Sequence, residues 1–252
     1  MTQGSQRWGV ASKRVGAVLA LLALSPGQPV PFDQFVDELW GEGRIANARN
    51  ALQANVTRLR KVLAAITGRQ GSDLIRVVSG GYVLDVPRES VDAHRFLTLA
   101  DRGASLVGPD ARRAVEVLEQ GLGMWRGAAL LDVSEGFRCR TEAVHLDERR
   151  LAAYEDLITA KLAIGEERVS IPELCHLAAE HQGRERLSEL LMLALYRDGR
   201  QTEALEVFHQ ARRRLAEELG LEPGPALHEI YQAILRQDDS LGRPRRFLAQ
   251  IA

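Results

Sequence analysis

The chain has 252 residues, of which 45% are hydrophobic and 27% are charged, and its formal net charge is −1 at pH 7. This composition excludes wholesale disorder, and the length allows two modest domains that each bury a core. The charge is unevenly distributed, because residues 1–86 contain 10 Lys and Arg against 6 Asp and Glu, whereas residues 87–252 contain 23 against 28. A basic part followed by an acidic part is typical of a nucleic-acid-binding domain joined to a protein-binding module.

The N-terminal region contains one apolar segment that ends at a turn. Residues 1–12 can supply at most one strand, and the apolar run of residues 14–24 predicts a buried helix that stops at Ser25-Pro26-Gly27. Lys13 and Arg14 before this run imitate a secretory signal, but Cys139 and Cys175 lie far apart and offer no disulfide framework. No run reaches the roughly 20 apolar residues of a membrane span. We therefore expect a cytoplasmic protein with two buried free thiols and no membrane segment.

Two further helices are predicted before residue 66. The first has apolar residues at helical spacing: Phe32, Phe35, Val36, Leu39 and Trp40. The second covers residues 46–65, and four apolar residues recur in it at i, i+4, i+7 and i+11: Leu52, Val56, Leu59 and Leu63. At about 100° per residue these four fall on one narrow stripe, which indicates a helix that packs one face against a core.

The other faces of this third helix are polar and basic, and no acidic residue occurs between Gly43 and Ala65. The candidate DNA-contacting residues on the face opposite the stripe and on its flanks are Asn47, Arg49, Asn50, Gln53, Ala54, Thr57, Arg58, Arg60 and Lys61. Arg, Asn and Gln make bidentate hydrogen bonds to guanine or adenine edges, and a small residue such as Ala54 lets the helix backbone approach the bases. Taken alone, such a face is also what a solvated helix presents.

A β-hairpin follows the third helix. Two runs rich in β-branched residues, 74–78 and 82–86, flank Ser79-Gly80-Gly81. Three helices and a hairpin, with the third helix basic, form the winged helix-turn-helix order, in which the third helix enters the major groove and the wing lies along the neighbouring backbone or minor groove. The candidate wing contacts are Arg76, Ser79, Gly80, Gly81 and Tyr82. We expect Arg49 and Arg60 to contact phosphates.

Helical patterns dominate from Val91 onwards. Residues 110–122 predict one helix, residues 141–164 one long helix or two, and residues 226–236 a final helix. Ala160 with Gly165, and Ala194 with Gly199, are separated by the tetratricopeptide period, and the later copy matches that repeat at Tyr196, Glu203-Ala204, Phe208 and Ala211. The predicted fold is mainly α: a winged helix in residues 1–88, a TPR-like helical domain in residues 89–240, and a flexible tail in residues 241–252.

Sequence patterns of known catalytic and metal sites are missing from the chain. It contains no GxxxxGK[ST], GxGxxG, HExxH or GxSxG pattern. The six histidines fall in helical patterns without a carboxylate or cysteine partner at the spacing of a site. We therefore expect no catalytic residue, no metal ligand and no cofactor, and we expect that the protein is not an enzyme.

Six stretches together resemble the SARP family of actinobacterial transcriptional activators. They are Phe32-Asp33-Gln34-Phe35-Val36-Asp37-Glu38-Leu39-Trp40-Gly41, Ala48-Arg49-Asn50-Ala51-Leu52-Gln53 with Arg58-Leu59-Arg60-Lys61, Gly80-Gly81-Tyr82-Val83-Leu84, Val91-Asp92-Ala93-His94-Arg95-Phe96, residues 190–197, and residues 218–225. The resemblance covers roughly residues 13–237. The chain departs from the family pattern at its start, where about a dozen residues stand in place of the usual four-stranded sheet.

The resemblance implies an OmpR-type winged helix joined to a bacterial transcriptional activator domain. It implies a cytoplasmic activator that binds double-stranded promoter DNA at direct repeats, as a dimer or tandem assembly. It further implies contact with RNA polymerase holoenzyme, through its sigma or its alpha or beta subunits, at secondary-metabolite (antibiotic) biosynthesis genes. An alternative is a TPR-type protein-interaction adaptor whose winged helix is vestigial, which would leave no footprint on DNA.

Overall fold

The computed structural model describes residues 2–3, 6–7, 9–10, 12–41, 47–133 and 135–242. The chain divides into two compact units. The first unit comprises Met1–Thr98 and Met124–Arg149, and the second comprises Leu99–Gly123 and Arg150–Ala252. Each unit contains its own hydrophobic core. No helix within the described residues is both long enough and apolar enough to cross a membrane.

The first unit contains the strands β1 (Thr2–Gln3), β2 (Gln6–Arg7), β3 (Val30–Pro31), β4 (Ile75–Val78) and β5 (Gly81–Leu84). Its helices before residue 90 are α1 (Lys13–Leu24), α2 (Phe32–Trp40), α3 (Ala48–Thr67) and the single turn α4 (Gly71–Leu74). The three longer helices confirm the predicted order, because the apolar spacing that defines each of them is a local property of the sequence. The winged helix-turn-helix followed by a helical domain is therefore the fold of this chain.

The sheets differ from the sequence prediction at two points. β1 and β2 pair antiparallel in a region for which at most one strand was expected. The second sheet has three strands in the order β3-β5-β4, with Val30 and Val77 as the neighbours of Tyr82. β3 is not predictable from sequence, because a strand of two residues ending in Pro31 has no periodicity that could reveal it.

The core of the first unit joins helices α1 to α3 to the hairpin. Leu21 from α1, Phe35 from α2, Leu52 and Leu59 from α3, and Ile75 from β4 are all fully buried in one cluster. Burying a side chain of this size contributes about 1.5–3 kcal/mol relative to leaving it in water. This packing fixes which side of α3 faces inwards and leaves its basic side exposed.

The remaining helices are α5 (Asp92–Leu106), α6 (Ala111–Leu122), α7 (Phe137–Ala163), α8 (Glu167–Glu180), α9 (Glu185–Arg197), α10 (Gln201–Arg214), α11 (Pro225–Leu235) and α12 (Asp239–Gly242). The long pattern in residues 141–164 thus forms one helix that begins four residues earlier than expected. Its first turn is held by Glu38 of α2, whose carboxylate accepts hydrogen bonds from the backbone N–H groups of Arg138 at 2.9 Å and Cys139 at 2.7 Å. A carboxylate at a helix N-terminus satisfies free N–H donors and is favoured by the helix dipole.

Helix α9 is the centre of the second unit. All of its residues from Leu187 to Leu195 are buried, and α8, α10 and α11 pack around it. The repeat residues Ala194, Ala204 and Phe208 are each no more than 2% exposed. Gly199 has a φ of 80°, in the left-handed region that glycine adopts without strain. The TPR-like pattern therefore corresponds to close helix packing around α9.

Two expectations need correction in the described residues. The tail does not begin at residue 241, because α12 includes Leu241, which is fully buried, and the Nε of Arg197 donates to the Leu241 carbonyl at 2.7 Å. Residues 243–252 of the predicted tail lie outside the described residues. Cys139 is buried as expected, but Cys175 is exposed. Helical periodicity in α8 is too weak for sequence to assign Cys175 to either face.

Candidate nucleic-acid interface

Helix α3 has one buried and one exposed side. Its apolar stripe is buried as predicted, with Leu52 and Leu59 fully inaccessible, and Asn55 and Ile66 extend the buried side. The candidate DNA-contacting residues that lie on the exposed side are Asn47, Arg49, Asn50, Gln53, Ala54, Thr57, Arg58 and Lys61. These residues form one continuous surface, which we call the α3 face. Three of them are cations and none is acidic.

Hydrogen bonds within the α3 face orient two of its polar groups. The Nδ2 of Asn50 donates to the Oδ1 of Asn47 at 3.1 Å, and the Thr57 hydroxyl donates to the Gln53 carbonyl at 2.8 Å. Because the Thr57 proton is used within the helix, its oxygen lone pairs and its methyl group remain available outside. Thr57 can therefore accept a hydrogen bond from a base or contact a thymine methyl group.

Arg49 lies at the start of the α3 face beside helix α2. Its guanidinium carbon is 5.1 Å from the centre of the Phe32 ring, which is the geometry of a cation–π contact. The contact holds the side chain against α2 and leaves the edge of the guanidinium exposed. An arginine oriented in this way loses less side-chain entropy when it binds an anion.

Arg60 occupies a different environment from the other candidate residues of α3. It is half-buried, and its Nε and Nη2 both donate to the Ile75 carbonyl, at 3.1 Å and 2.6 Å. The backbone of Gly71 packs so closely on Arg60 that a Cβ at position 71 would lie 2.4 Å from the Arg60 carbonyl. The bonds to Ile75 use Nε and Nη2, so the phosphate contact expected of Arg60 would be made by the remaining N–H groups of this half-buried guanidinium. In this structure Arg60 fixes strand β4 to helix α3.

The five candidate wing residues do not share one surface. Arg76 is exposed and forms an ion pair with Asp85 at 2.9 Å, and Ser79 and Gly80 form the exposed turn. Gly81 is buried, and it packs so closely on β3 that a Cβ there would lie 2.0 Å from the Val30 carbonyl oxygen. Tyr82 is half-buried, and its ring meets Phe35 edge to face at a centroid distance of 6.0 Å. Gly81 and Tyr82 therefore pack the sheet, whereas the other three lie on the wing surface.

Val77 belongs to the exposed surface of the wing and was not singled out from the sequence. It is 68% exposed next to Arg76. Strict alternation along β4 would place Ile75 and Val77 on the same face, but only Ile75 is buried. Because valine is apolar, the sequence pattern did not indicate that this position is exposed. An aliphatic side chain at the wing surface can contact the sugars or methyl groups of a duplex.

The possible metal ligands of the described part of the chain are its His, Cys, Asp and Glu side chains, some of which form histidine–carboxylate pairs. No group of three His, Cys, Asp or Glu residues is arranged to hold a metal ion among the residues that the structure describes. Contrary to the sequence analysis, two histidines have carboxylate neighbours, since His145 is 3.3 Å from Glu142 and His176 is 3.7 Å from Glu180. Both pairs are exposed on helix surfaces, at i,i+3 and i,i+4 spacing that sequence could have revealed.

Two family models match the chain in sequence order. The model described as "Transcriptional regulatory protein, C terminal" matches residues 10–84, and "Bacterial transcriptional activator domain" matches residues 91–235. The first match contains the α3 face and the wing. The second contains the TPR-like repeat.

Curated relatives are similar in sequence over most of this chain. Transcriptional regulator RedD of Streptomyces coelicolor is 47% identical over 238 residues, covering 94% of this chain and 68% of RedD. Regulatory protein DnrI of Streptomyces peucetius is 36% identical over 231 residues, covering 90% of this chain and 85% of DnrI. The structure of Mycobacterium tuberculosis EmbR in complex with a low affinity phosphopeptide is 30% identical and matches with a TM-score of 0.87, covering 95% of this chain and 64% of that chain.

The fold and these likenesses define a transcriptional regulator with an OmpR-type winged helix, a class of protein that binds DNA. A buried stripe and an exposed basic side, as on α3, are the two faces expected of a recognition helix. The order of the two domains distinguishes this chain from a winged helix alone. The chain belongs to the SARP family of transcriptional activators.

Proposed function

We propose that this activator binds directly repeated promoter sites through the α3 face and recruits RNA polymerase to secondary-metabolite biosynthesis genes. The observation that carries the proposal is the α3 face, which is cationic, free of acid and supported by a fully buried stripe. Phosphate neutralisation provides most of the affinity of such a surface, and base edges provide the sequence preference. Its place of action is the cytoplasm, where the chromosome of a bacterium lies.

Each group on the surface has a distinct proposed role. Asn50, Thr57 and Arg58 read base edges in the major groove, whereas Arg49 binds a phosphate at the start of α3. Arg76 and the turn residues of the wing contact the neighbouring backbone. Arg60 is a positioning residue, since its two bonds to Ile75 hold the wing at a set distance from the recognition helix.

Tandem binding and polymerase contact extend the proposal to the assembly. Direct repeats on the same face of the duplex would align two copies head to tail, each with its α3 face in the major groove. The family resemblance supports this arrangement, and it supports contact of the helical domain with the sigma, alpha or beta subunits. For this tandem assembly we expect two footprints one helical turn apart on the promoter, and we expect RNA polymerase to be retained there.

Binding of a directly repeated promoter fragment, measured by fluorescence anisotropy over a range of salt concentrations, tests the proposal. Arg49→Ala should lower the steepness of the salt dependence by about one unit, because one phosphate contact is lost. Arg58→Ala and Thr57→Ala should change the sequence preference, by about 1–3 kcal/mol for a base contact of good geometry. Arg60→Ala should weaken binding without changing the salt dependence.

Arg112→Ala is the matched control, since Arg112 is an exposed arginine of α6 outside the α3 face. It should bind DNA as the unaltered protein does. If neither Thr57→Ala nor Arg58→Ala weakens binding, the assignment of the α3 face is wrong. If the unaltered protein gives no footprint at physiological salt, the adaptor with a vestigial winged helix becomes the better account.

A further inference from the structure

A groove in the second unit is not used by the proposed DNA contact. It lies between α8 and α10, has α9 as its floor, and encloses a volume of about 430 Å³. The floor is made by Ser188, Leu191 and Leu195, which share one face of α9 at i, i+3 and i+7 spacing. Its size falls in the range of sites for small molecules, which is roughly 300–1,000 Å³.

The middle of the groove is lined mainly by apolar side chains. Two polar residues of α10 also line it: Glu206 and Gln210, whose Nε2 donates to the Glu206 carboxylate at 3.3 Å. Leu191 and Leu195 are buried beneath it, and the small side chains of Ala178 and Ala211 and that of Val207 form its walls. These apolar side chains offer no hydrogen-bonding group. An occupant of this part must therefore have an apolar body.

One end of the groove is polar. Because α8, α9 and α10 follow one another as antiparallel neighbours, the start of α9 lies beside the ends of α8 and α10. Ser188 near the start of α9 is only 6% exposed, it lines the groove, and its hydroxyl has no hydrogen-bond partner among the described residues. The hydroxyl is therefore available to donate a hydrogen bond to an occupant of the groove, or to accept one from it.

Arg214 lies at this same end. Its Nη2 donates to the Gln182 carbonyl at 2.5 Å, which links the ends of α10 and α8. The other N–H donors of Arg214 have no acceptor in the described part of the chain. A neutral carbonyl leaves the charge of the guanidinium uncompensated, so that this end favours an anion.

At the opposite end of the groove, the positive charge of Arg200 is compensated by the carboxylate of Glu203. Arg200 donates two hydrogen bonds to the carboxylate of Glu203, at 2.7 Å and 2.6 Å. The exposed thiol of Cys175 also lines the groove. The two ends therefore differ, and only the end with Ser188 and Arg214 has free capacity for an anionic group.

We infer that this groove binds an amphipathic small molecule with an anionic headgroup, a carboxylate or a sulfonate. The headgroup meets Arg214 and the Ser188 hydroxyl, and the apolar body lies over Leu191 and Leu195. Binding at this site is independent of the α3 face, and it can therefore be tested without DNA.

Anilinonaphthalene sulfonate is a suitable probe, because it combines aromatic rings with one sulfonate. We expect saturable one-to-one binding with enhanced fluorescence, and we expect the bound probe to slow alkylation of Cys175 by N-ethylmaleimide. Arg214→Gln should weaken binding about tenfold, as the loss of a charge-assisted hydrogen bond implies. Arg212→Gln is the matched control, since Arg212 pairs with Glu222 and does not line the groove.

Several outcomes would overturn the inference. One is non-saturable fluorescence, and another is equal affinity in Arg214→Gln and Arg212→Gln. If uncharged N-phenylnaphthylamine binds as tightly as the sulfonate, no anionic headgroup is selected. If Cys175 is protected without any probe and the protein elutes as a dimer, the occupant is a second copy. Circular dichroism of both variants checks that they are folded, and Ser188→Ala, which removes only the hydroxyl, should also weaken binding.

Discussion

His94 shows how burial changes the chemistry of a single side chain in the first unit. It is 9% exposed, and its Nε2–H donates to the Ala23 carbonyl at 3.1 Å, whereas its buried Nδ1 has no partner among the described residues. Burial lowers the pKa of His94 below the ordinary value of 6.5, and the charge of Arg88 lowers it further. The native state therefore keeps this imidazole neutral.

The free energy of unfolding should fall as the pH is lowered through about 6.5, because the unfolded chain binds a proton at His94 that the folded chain does not. His94→Gln should make the stability less dependent on pH between about pH 7 and pH 5. Urea unfolding at several pH values measures the effect. His176→Gln, at an exposed position on α8, should retain the pH dependence of the unaltered protein, and a profile unchanged by His94→Gln would exclude this histidine as its source.

At the scale of elements, the hairpin shows why register matters for the wing. The β-branched runs predict strands in residues 74–78 and 82–86, and the observed strands are Ile75–Val78 and Gly81–Leu84. Gly81 is in the second strand because β3 approaches it, with Pro31 as its partner in the register. Only a residue without a Cβ fits between the two backbones.

Gly81→Ala should destabilise the winged helix by about 3 kcal/mol, because its Cβ would overlap the Val30 carbonyl and force β3 and β5 apart. The same variant should weaken DNA binding, since the wing would move. Ser79→Ala, in the exposed turn of the same hairpin, is the control and should be nearly neutral in thermal unfolding. A stable Gly81→Ala protein would show that the third strand does not hold the wing.

At the scale of the whole molecule, the core of the winged helix extends beyond the boundary at residue 88 that the sequence suggested. Leu130, Val133 and Cys139 pack against it, although they follow the hairpin by about fifty residues. Glu38 holds the start of α7 to α2 through the N–H groups of Arg138 and Cys139. Burial beside Glu38 raises the pKa of the Cys139 thiol to about 12, which makes it unreactive in the native state.

Thiol reactivity measures how firmly α7 is held. N-ethylmaleimide should modify Cys175 quickly and Cys139 only when the start of α7 opens. Glu38→Ala should speed the modification of Cys139 about tenfold or more, because two hydrogen bonds to a charged group are lost and the neighbouring negative charge is removed. Asp37→Asn, at an exposed position on the same helix, should leave the rate unchanged. Equal rates in the two variants would contradict the role of Glu38.

Much of this architecture depends on local patterns, and the sequence alone determined those parts. The stripe through Leu52 and Leu59, the Gly80-Gly81 hairpin and the repeat around Ala194 and Phe208 each follow from a period of the α-helix, the strand or the repeat. The absence of acid along α3 is likewise a property of the sequence. The helix order, the fold class and the exposed basic side of α3 could therefore be predicted without coordinates.

Tertiary structure decided what depends on residues far apart in the chain. The bonds of Arg60 to Ile75, the approach of β3 to Gly81 and the packing of Cys139 beside Glu38 join segments that no short-range period connects. Arg58 and Arg60 are the same residue type, two positions apart in α3. Arg58 is exposed, whereas Arg60 is half-buried and hydrogen-bonded to the Ile75 carbonyl. The physical reason is that a side chain's hydrogen-bond partners and solvent access are set by the elements that pack around it, and packing is decided by the whole chain.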